Sequence, residues 1–475
     1  MLWLTIALAV FILQIATILI LEFRRPANMV AWLLILYVLP VIGFVMYYFL
    51  AKEYSNRKKL RKSGIAPDET QLAAIRRCRL VHSASDMQAP GFAEQERLFR
   101  LLQQMSGSPV TGCNRTEILT DGEATFKSIL AAIGEAKHHI HMEYYTLRHD
   151  EIGQKFKRAL VQKAHEGVEV RLVYDGVGSY KLHQDYVREL EEAGVHVKCF
   201  LPPRIAFFDK RVNYRNHRKI VVVDGTVGYV GGINIGDEYL GRNKRLGFWR
   251  DTHLKVEGDS VYFLQSVFMQ DWEFTAKERL TNPAYLPKHP CNGDEQVQIV
   301  SSGPDSGAEE ILECIFSAIA VAKERIYIAT PYFIPDGSLL MALRTAALSG
   351  VDVRIILPEV ADSRLVLAAS LSYAAELLPN GVRVYRYMKG FIHAKVVLVD
   401  RLVASVGTAN MDLRSFYSNF ELNALLFDER PIARLERDFE NDFSHSRELK
   451  LEELQNRPRR KKIGQAIARM LSPLL

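Results

Sequence analysis

Residues 2–21 are apolar except for Thr5, Gln14 and Thr17, and after a short polar stretch a second apolar run covers residues 29–51. Each run is long enough to cross the apolar layer of a bilayer, about 30 Å thick, as a helix. The pattern therefore predicts a transmembrane helical hairpin over residues 1–51. A cleaved signal peptide fits less well, because the Met-Leu-Trp-Leu start lacks positive charge and a second run follows at once. The turn carries Arg24 and Arg25 against Glu22. The flank after the second run carries Lys52, Arg57, Lys58, Lys59, Arg61 and Lys62 against Glu53. The positive-inside rule then puts the remainder of the chain on the cytoplasmic side.

Beyond residue 104 the pattern turns to short β-branched runs between amphipathic stretches, and it occurs twice. The segment 137–145 (KHHIHMEYY) is matched by 323–333 (KERIYIATPYF), 166–175 (EGVEVRLVYD) by 349–358 (SGVDVRIILP), and 193–200 (AGVHVKCF) by 380–387 (NGVRVYRY). In the later two pairs a glycine closes a helix and a strand begins. Helices are expected at 124–136 and 153–165, and correspondingly at 309–321 and 338–348. Alternating helices and strands predict an α/β fold with a mixed or mostly parallel sheet. The expected organisation is a charged connector at 52–104, a first half at 105–285, a second at 295–450 and a basic tail at 451–475. The stretch 281–295, with three prolines and an Asn-Gly pair, reads as the linker between the halves.

Composition adds little. Hydrophobic residues make up 48 %, charged residues 24 %, and the net charge is +6; this suits an anionic partner without choosing nucleic acid or lipid. Cys78, Cys113, Cys199, Cys291 and Cys314 show no metal-ligand spacing, so free thiols in a reducing compartment are expected, with no disulfide and no zinc.

The chemistry lies in a second repeat. The first half reads His217-Arg-Lys219, four residues, Asp224, six residues, Gly231-Gly232-Ile-Asn234; the second reads His393-Ala-Lys395, four, Asp400, six, Gly407-Thr408-Ala-Asn410. His and Lys two apart on a strand share a face. Imidazole attacks phosphorus or moves a proton near neutral pH, and the lysine supplies charge for non-bridging oxygens. Glycines admit backbone close to a phosphate, and the asparagine amides add neutral donors. One such motif arises by chance in roughly one chain in thirty of this composition, but two copies at matching offsets do not. Phosphodiester exchange through a covalent intermediate needs a nucleophile and an opposed acid, which two copies supply.

These segments resemble the paired HKD motifs of the phospholipase D superfamily. The chain as a whole resembles the membrane-anchored bacterial cardiolipin synthase family. The likeness includes the RRP…AW…P..G…YY pattern at 24–48, EYY at 143–145, RNHRK at 215–219, GGINIGDEY at 231–239 and WRD at 249–251. The resemblance implies two pseudo-symmetric phospholipase D-like α/β domains sharing one active site. Its catalytic set is His217, Lys219, Asp224, His393, Lys395 and Asp400, with Asp224 and Asp400 mainly structural. Asn234, Asn410, Gly232 and Thr408 line or orient the site, and Asp251 and Glu421 are the acids that pair with the histidines. Gly232 departs from the serine common in the superfamily, which leaves the first half without a hydroxyl there.

The resemblance further implies phosphatidyl transfer from one phosphatidylglycerol to another, giving cardiolipin and glycerol through a phosphohistidine on His217, with His393 as acid and base. It implies no metal and no other cofactor, anionic phospholipids and the bilayer as partners, no nucleic acid, and a bacterial inner-membrane location. The alternatives are hydrolysis or exchange on another lipid such as phosphatidylethanolamine, an HKD nuclease, and a catalytically dead lipid-binding scaffold. The hairpin, the absence of a long basic stripe and the intact motifs disfavour the last two. In the tail, the basic segment 457–462 precedes Ile463, Ile467, Met470 and Leu471, a pattern that a lipid-surface helix or a solvated charge run would share.

Overall fold

The computed structural model describes residues 2–22, 26–50, 69–105, 108–202, 214–288, 291–306 and 308–472. Arg24, Arg25 and the basic flank at 52–62, on which orientation was read, lie outside these residues, as does most of the loop before His217.

The sheet strands run in chain order as β1 (Thr111–Asp121), β2 (His139–Tyr144), β3 (Glu169–Asp175), β4 (His196–Phe200), β5 (Ile220–Val223), β6 (Val227–Gly231) and β7 (Phe248–Gly258) in the first half. The second half adds β8 (Glu295–Ser302), β9 (Arg325–Ala329), β10 (Phe333–Ile334), β11 (Asp352–Pro358), β12 (Arg383–Tyr387), β13 (Gly390–Ile392), β14 (Val396–Val399), β15 (Val403–Gly407), β16 (Met411–Asp412), β17 (Glu421–Leu426) and β18 (Ser446–Glu448). Among the described residues, sixteen of these form one sheet in the order β18-β12-β11-β9-β14-β15-β17-β8-β1-β7-β6-β5-β2-β3-β4, with β13 against β7. The order reads as one half and its copy meeting at the antiparallel β1–β8 pair. The outer strands β2-β3-β4 and β9-β11-β12 are parallel, and the strands between them are antiparallel. The sheet is therefore mixed, as alternating helix and strand predicted, and it is built from two similar units.

The local reasons repeat as well. Gly167 (φ +87°) and Gly350 (φ +94°) end the helices before β3 and β11 in the left-handed region that Cβ disfavours. Asp150 and Asp336 cap the helices Glu151–His165 and Gly337–Leu348, accepting from Gly153 N at 3.0 Å and Leu339 N at 2.9 Å. The strands carrying the motif, β5 and β14, are buried along their whole length.

Three regions depart from, or add to, what the pattern predicts. The second apolar run is divided by a bend at Leu39 into α2 (Pro26–Val38) and α3 (Pro40–Leu50), because Pro40 has no N–H to give the helix and crowds the preceding turn. With α1 (Leu2–Glu22) they form a small cluster around Ile18, Trp32, Leu36 and Tyr47. Among the described residues no helix is long and apolar enough to cross a membrane, and the predicted transmembrane hairpin is not shown. Next, Cys113 and Cys291 form a disulfide rather than resting as free thiols, because the linker returns beside the start of β1 and brings their Cα atoms to 5.4 Å. The other three cysteines are free. Finally, the connector is structured where described: helix α4 (Glu96–Gln104) buries Leu98, Phe99 and Leu102, which join the second half's core together with Phe92.

Candidate active site

Each motif histidine stands just before its buried strand, and the two halves exchange partners there. His217 N donates to Phe420 O (2.9 Å) and Phe420 N to Arg215 O (2.9 Å); His393 N donates to Arg250 O (2.7 Å) while β13 runs parallel to β7. Phe420 and Arg250 directly precede Glu421 and Asp251. The side chains follow the backbone: His217 Nδ1 lies 2.9 and 3.0 Å from the Glu421 carboxylate, and His393 Nδ1 lies 2.8 Å from Asp251 Oδ2. Each histidine is thus held by the acid of the opposite half. Nδ1–H donates to the carboxylate, so Nε2 keeps its lone pair.

The acids are held in turn by unlike means. Thr408 Oγ1 donates to Glu421 Oε2 (2.6 Å) and Asn419 Nδ2 to Oε1 (3.2 Å). Asp251 accepts from Trp249 Nε1 (3.3 Å) and Thr252 N (2.8 Å). This accounts for the missing hydroxyl at Gly232. A Cβ there would come within 2.0 Å of Asp251 Oδ1, so the glycine makes room for the carboxylate, and the Thr408 hydroxyl serves the other acid.

Lys219 and Lys395 are buried behind the histidines, each donating to the carbonyl of its own histidine at 2.6 Å. Burial pushes Lys219 down to about 7 and Lys395 down to about 8. Burial holds His217 down to about 4, overcoming the opposing pull of Glu421, and His393 is lowered by burial and by Lys395. Burial opposes ionisation of the acids, yet His217 and Lys219 hold Glu421 below its usual value, and His393 and Lys395 do the same for Asp251. At neutral pH the free site holds His217 as a neutral imidazole, with Glu421 and Asp251 ionised.

A cavity of about 760 Å³ opens onto both histidines, lined also by Asn234 and Asn410. Asn234 bridges Thr146 N (3.0 Å) and the Tyr239 hydroxyl (2.9 Å). Sequence reasoning left the other polar lining unassigned: Arg148, Arg215, Arg245 and Arg414 bring positive charge to the cavity, and Tyr145 packs edge-on to His217 at 4.9 Å. Trp249, 5.1 Å from His393, and Asn419 could have been noticed, since each lies two residues before its acid and so on the same strand face.

Asp224 and Asp400, expected to be mainly structural, stand apart from the other motif side chains. They lie at the far ends of β5 and β14 and do not line the cavity. Asp224 accepts from the backbone N–H of Lys137, His138 and His139 (2.8, 2.7 and 3.0 Å). Asp400 accepts from Lys323, Glu324 and Arg325 (2.8, 2.9 and 2.8 Å). Both have φ of +52°, a left-handed conformation that costs on the order of 1 kcal/mol and that three charge-assisted bonds offset. Among the described residues no group of three or more histidine, cysteine or carboxylate side chains is arranged to hold a metal ion.

Two α/β units with one cavity between paired HKD motifs define a phospholipase D-like fold. The fold is shared with the solved phosphatidylserine synthase of Haemophilus influenzae, 17 % identical, with a TM-score of 0.62 over 80 % of this chain and 100 % of that one. The sequence matches the family described as "Cardiolipin synthase, PLD-like domain" over residues 129–272 and 315–443. The cardiolipin synthase of Geobacillus kaustophilus is 46 % identical over 98 % of this chain and 92 % of its own length. That of Halalkalibacterium halodurans is 44 % identical over 99 % and 93 %. The chain belongs to the cardiolipin synthase family.

Proposed function

We propose that the chain is a phosphatidyltransferase that joins two phosphatidylglycerols into cardiolipin and releases glycerol. The observation that carries this reading is the pair of histidines, each oriented by the acid of the other half, on one cavity rimmed with arginines. His217 Nε2 attacks the phosphorus of one lipid, and the P–O bond to the headgroup glycerol breaks as His393, which enters the step as the imidazolium with a proton on Nε2, gives that oxygen a proton. His393 then takes a proton from the terminal hydroxyl of a second phosphatidylglycerol. Its oxygen displaces His217 from phosphorus, yielding cardiolipin and the free imidazole. Lys219 and Lys395 compensate charge on the non-bridging oxygens. Asn234 and Asn410 position the phosphodiester from the cavity wall. One phosphodiester replaces another, so the exchange is close to thermoneutral in bonds and calls for no nucleotide.

The reading extends to the N-terminus, where α1–α3 would sit in the apolar layer of the bacterial inner membrane. Exposed Trp3, Leu13, Ile20, Tyr37, Val41 and Ile42 support it. The basic flank at 52–62 supports a catalytic unit on the cytoplasmic side. On that side the reducing thiol pool would keep Cys113 and Cys291 as thiols, so alkylation of these two residues in intact cells reports the side directly. The test of function is the purified chain reconstituted with defined lipids, following glycerol, ethanolamine and cardiolipin. Glycerol released in step with cardiolipin is expected. Ethanolamine released in its place would overturn phosphatidylglycerol as the second substrate, and cleavage of plasmid without lipid turnover would overturn the class.

A further inference from the structure

The C-terminal helix α12 (Arg459–Leu471) has two faces, and the fold accounts for one. Ala468 and Ser472 are fully buried where α12 packs along the helix Arg364–Leu377, here α10. The Ser472 and Tyr373 hydroxyls meet at 2.9 Å, and the Arg469 guanidinium lies 4.4 Å from the Tyr373 ring centre while pairing with Glu376. On the other side Ile463, Ile467 and Met470, spaced to form one stripe, are 60, 46 and 40 % exposed. Arg459, Arg460, Lys461 and Lys462 fill the first turn. Cations there oppose the helix dipole, so helix stability does not explain them.

Two neighbours say what covers this stripe. α12 touches α2, so its apolar face continues the exposed apolar surface of the N-terminal helices, where Tyr37 and Val38 are also open. α10, on which α12 is fastened, begins at the cavity, which Val366 lines, with exposed Leu365 beside it.

We propose that α12 is a docking surface for anionic lipid: Ile463, Ile467 and Met470 enter the acyl boundary while the four basic residues meet headgroup phosphates. Through α10 this seat holds the cavity mouth against the bilayer that supplies its substrate. The proposal rests on the lipid reading of the cavity and adds the element that presents the cavity to the lipid.

An environment-sensitive fluorophore on I467C, in a C78S/C113S/C199S/C291S full-length chain, tests it in phosphatidylcholine nanodiscs with and without phosphatidylserine. The same probe on K155C is the control. Discs containing phosphatidylserine should shift the emission of the 467 probe to shorter wavelength and shield it from aqueous iodide, while the 155 probe stays accessible. Equal quenching at both positions would overturn the proposal. So would shielding that appears in detergent and grows with protein concentration, which would assign the face to a second copy of the chain. Reversing the charges (R459E, R460E, K461E, K462E) should lower cardiolipin formation on anionic vesicles about tenfold and leave turnover in detergent mixed micelles unchanged; undiminished formation on vesicles would also overturn it. Failure of the unaltered chain to form cardiolipin in either medium would instead overturn phosphatidyl transfer, and the probe result would still decide the docking surface.

Discussion

The two halves share the order of their main sheet strands but differ around the reacting groups. His217 stands beside Tyr145, and its acid Glu421 is gripped by the Thr408 hydroxyl and the Asn419 amide. His393 stands among Trp249 and Phe391, and its acid Asp251 is gripped by an indole N–H and a backbone amide, with Gly232 giving it room. Between histidine and lysine the first half has Arg218, paired with Asp271 at 2.5 Å and bonded to Glu421 O at 3.2 Å, where the second has buried Ala394. A duplicated scaffold has kept one geometry, an acid on Nδ1, while changing the polarity around each ring. Such differences suit two imidazoles with unlike duties.

The largest effect should come from removing either ring. His217→Ala and His393→Ala should each lower cardiolipin formation at least about a thousandfold. If the duties differ as proposed, lipid-linked phosphohistidine forms with His217 present and never with it absent, which acid-quenched radiolabelled protein would show. Substantial turnover by either variant would sink the two-histidine scheme.

Filling the space under Asp251 should matter more than deleting the hydroxyl over Glu421. Gly232→Ala should displace Asp251 and lower kcat/KM about a hundredfold, and Thr408→Val, which leaves Asn419 in place, about tenfold. Equal losses would mean that the acids are supported alike.

The lysines give the pH profile its alkaline limb. Their pKa values are lowered, so positive charge is full below about 7 and is lost as pH rises through about 7 for Lys219 and about 8 for Lys395. His217, lowered to about 4, stays neutral down to that pH. The value of kcat/KM should therefore fall as pH rises, first as His393, whose pKa is lowered, loses the proton it gives the leaving group and then through pH 7–8 as the lysines lose charge, while His217 adds no acid limb down to about 4. A steep acid limb near the ordinary histidine value would show that His217 is not desolvated in the free enzyme.

Asp224→Asn and Asp400→Asn should have the smallest effect on chemistry. Each weakens three bonds to backbone N–H groups and should cost about 2 kcal/mol of stability, read as a lower Tm with kcat nearly unchanged. These sites are equivalent in geometry, so the two losses should match.

Much of this could be read from the chain itself, because helix and strand periods are local. The motif offsets and the glycine-to-strand junctions were accessible from residue types and spacing, and the acids Asp251 and Glu421 only through the family resemblance. What escaped was long-range. No local pattern says that Glu421 serves a histidine 204 positions away, that Cys113 meets Cys291, or that residues 81–105 pack on the second half. The bend before Pro40 was legible, and the length of the apolar run outweighed it. The role of Gly232 escaped because a glycine that makes room for a neighbour looks, in sequence, like a missing hydroxyl.

The exchange of acids between halves also bears on biogenesis. A ribosome delivers the first motif some two hundred residues before Glu421, and domains fold as they emerge. Until β17 takes its place, His217 lacks the carboxylate that fixes its tautomer and His393 has not been paired with Asp251. A nascent chain would therefore remain inert throughout synthesis. It would acquire its activity in one late step, when the second half closes on the first.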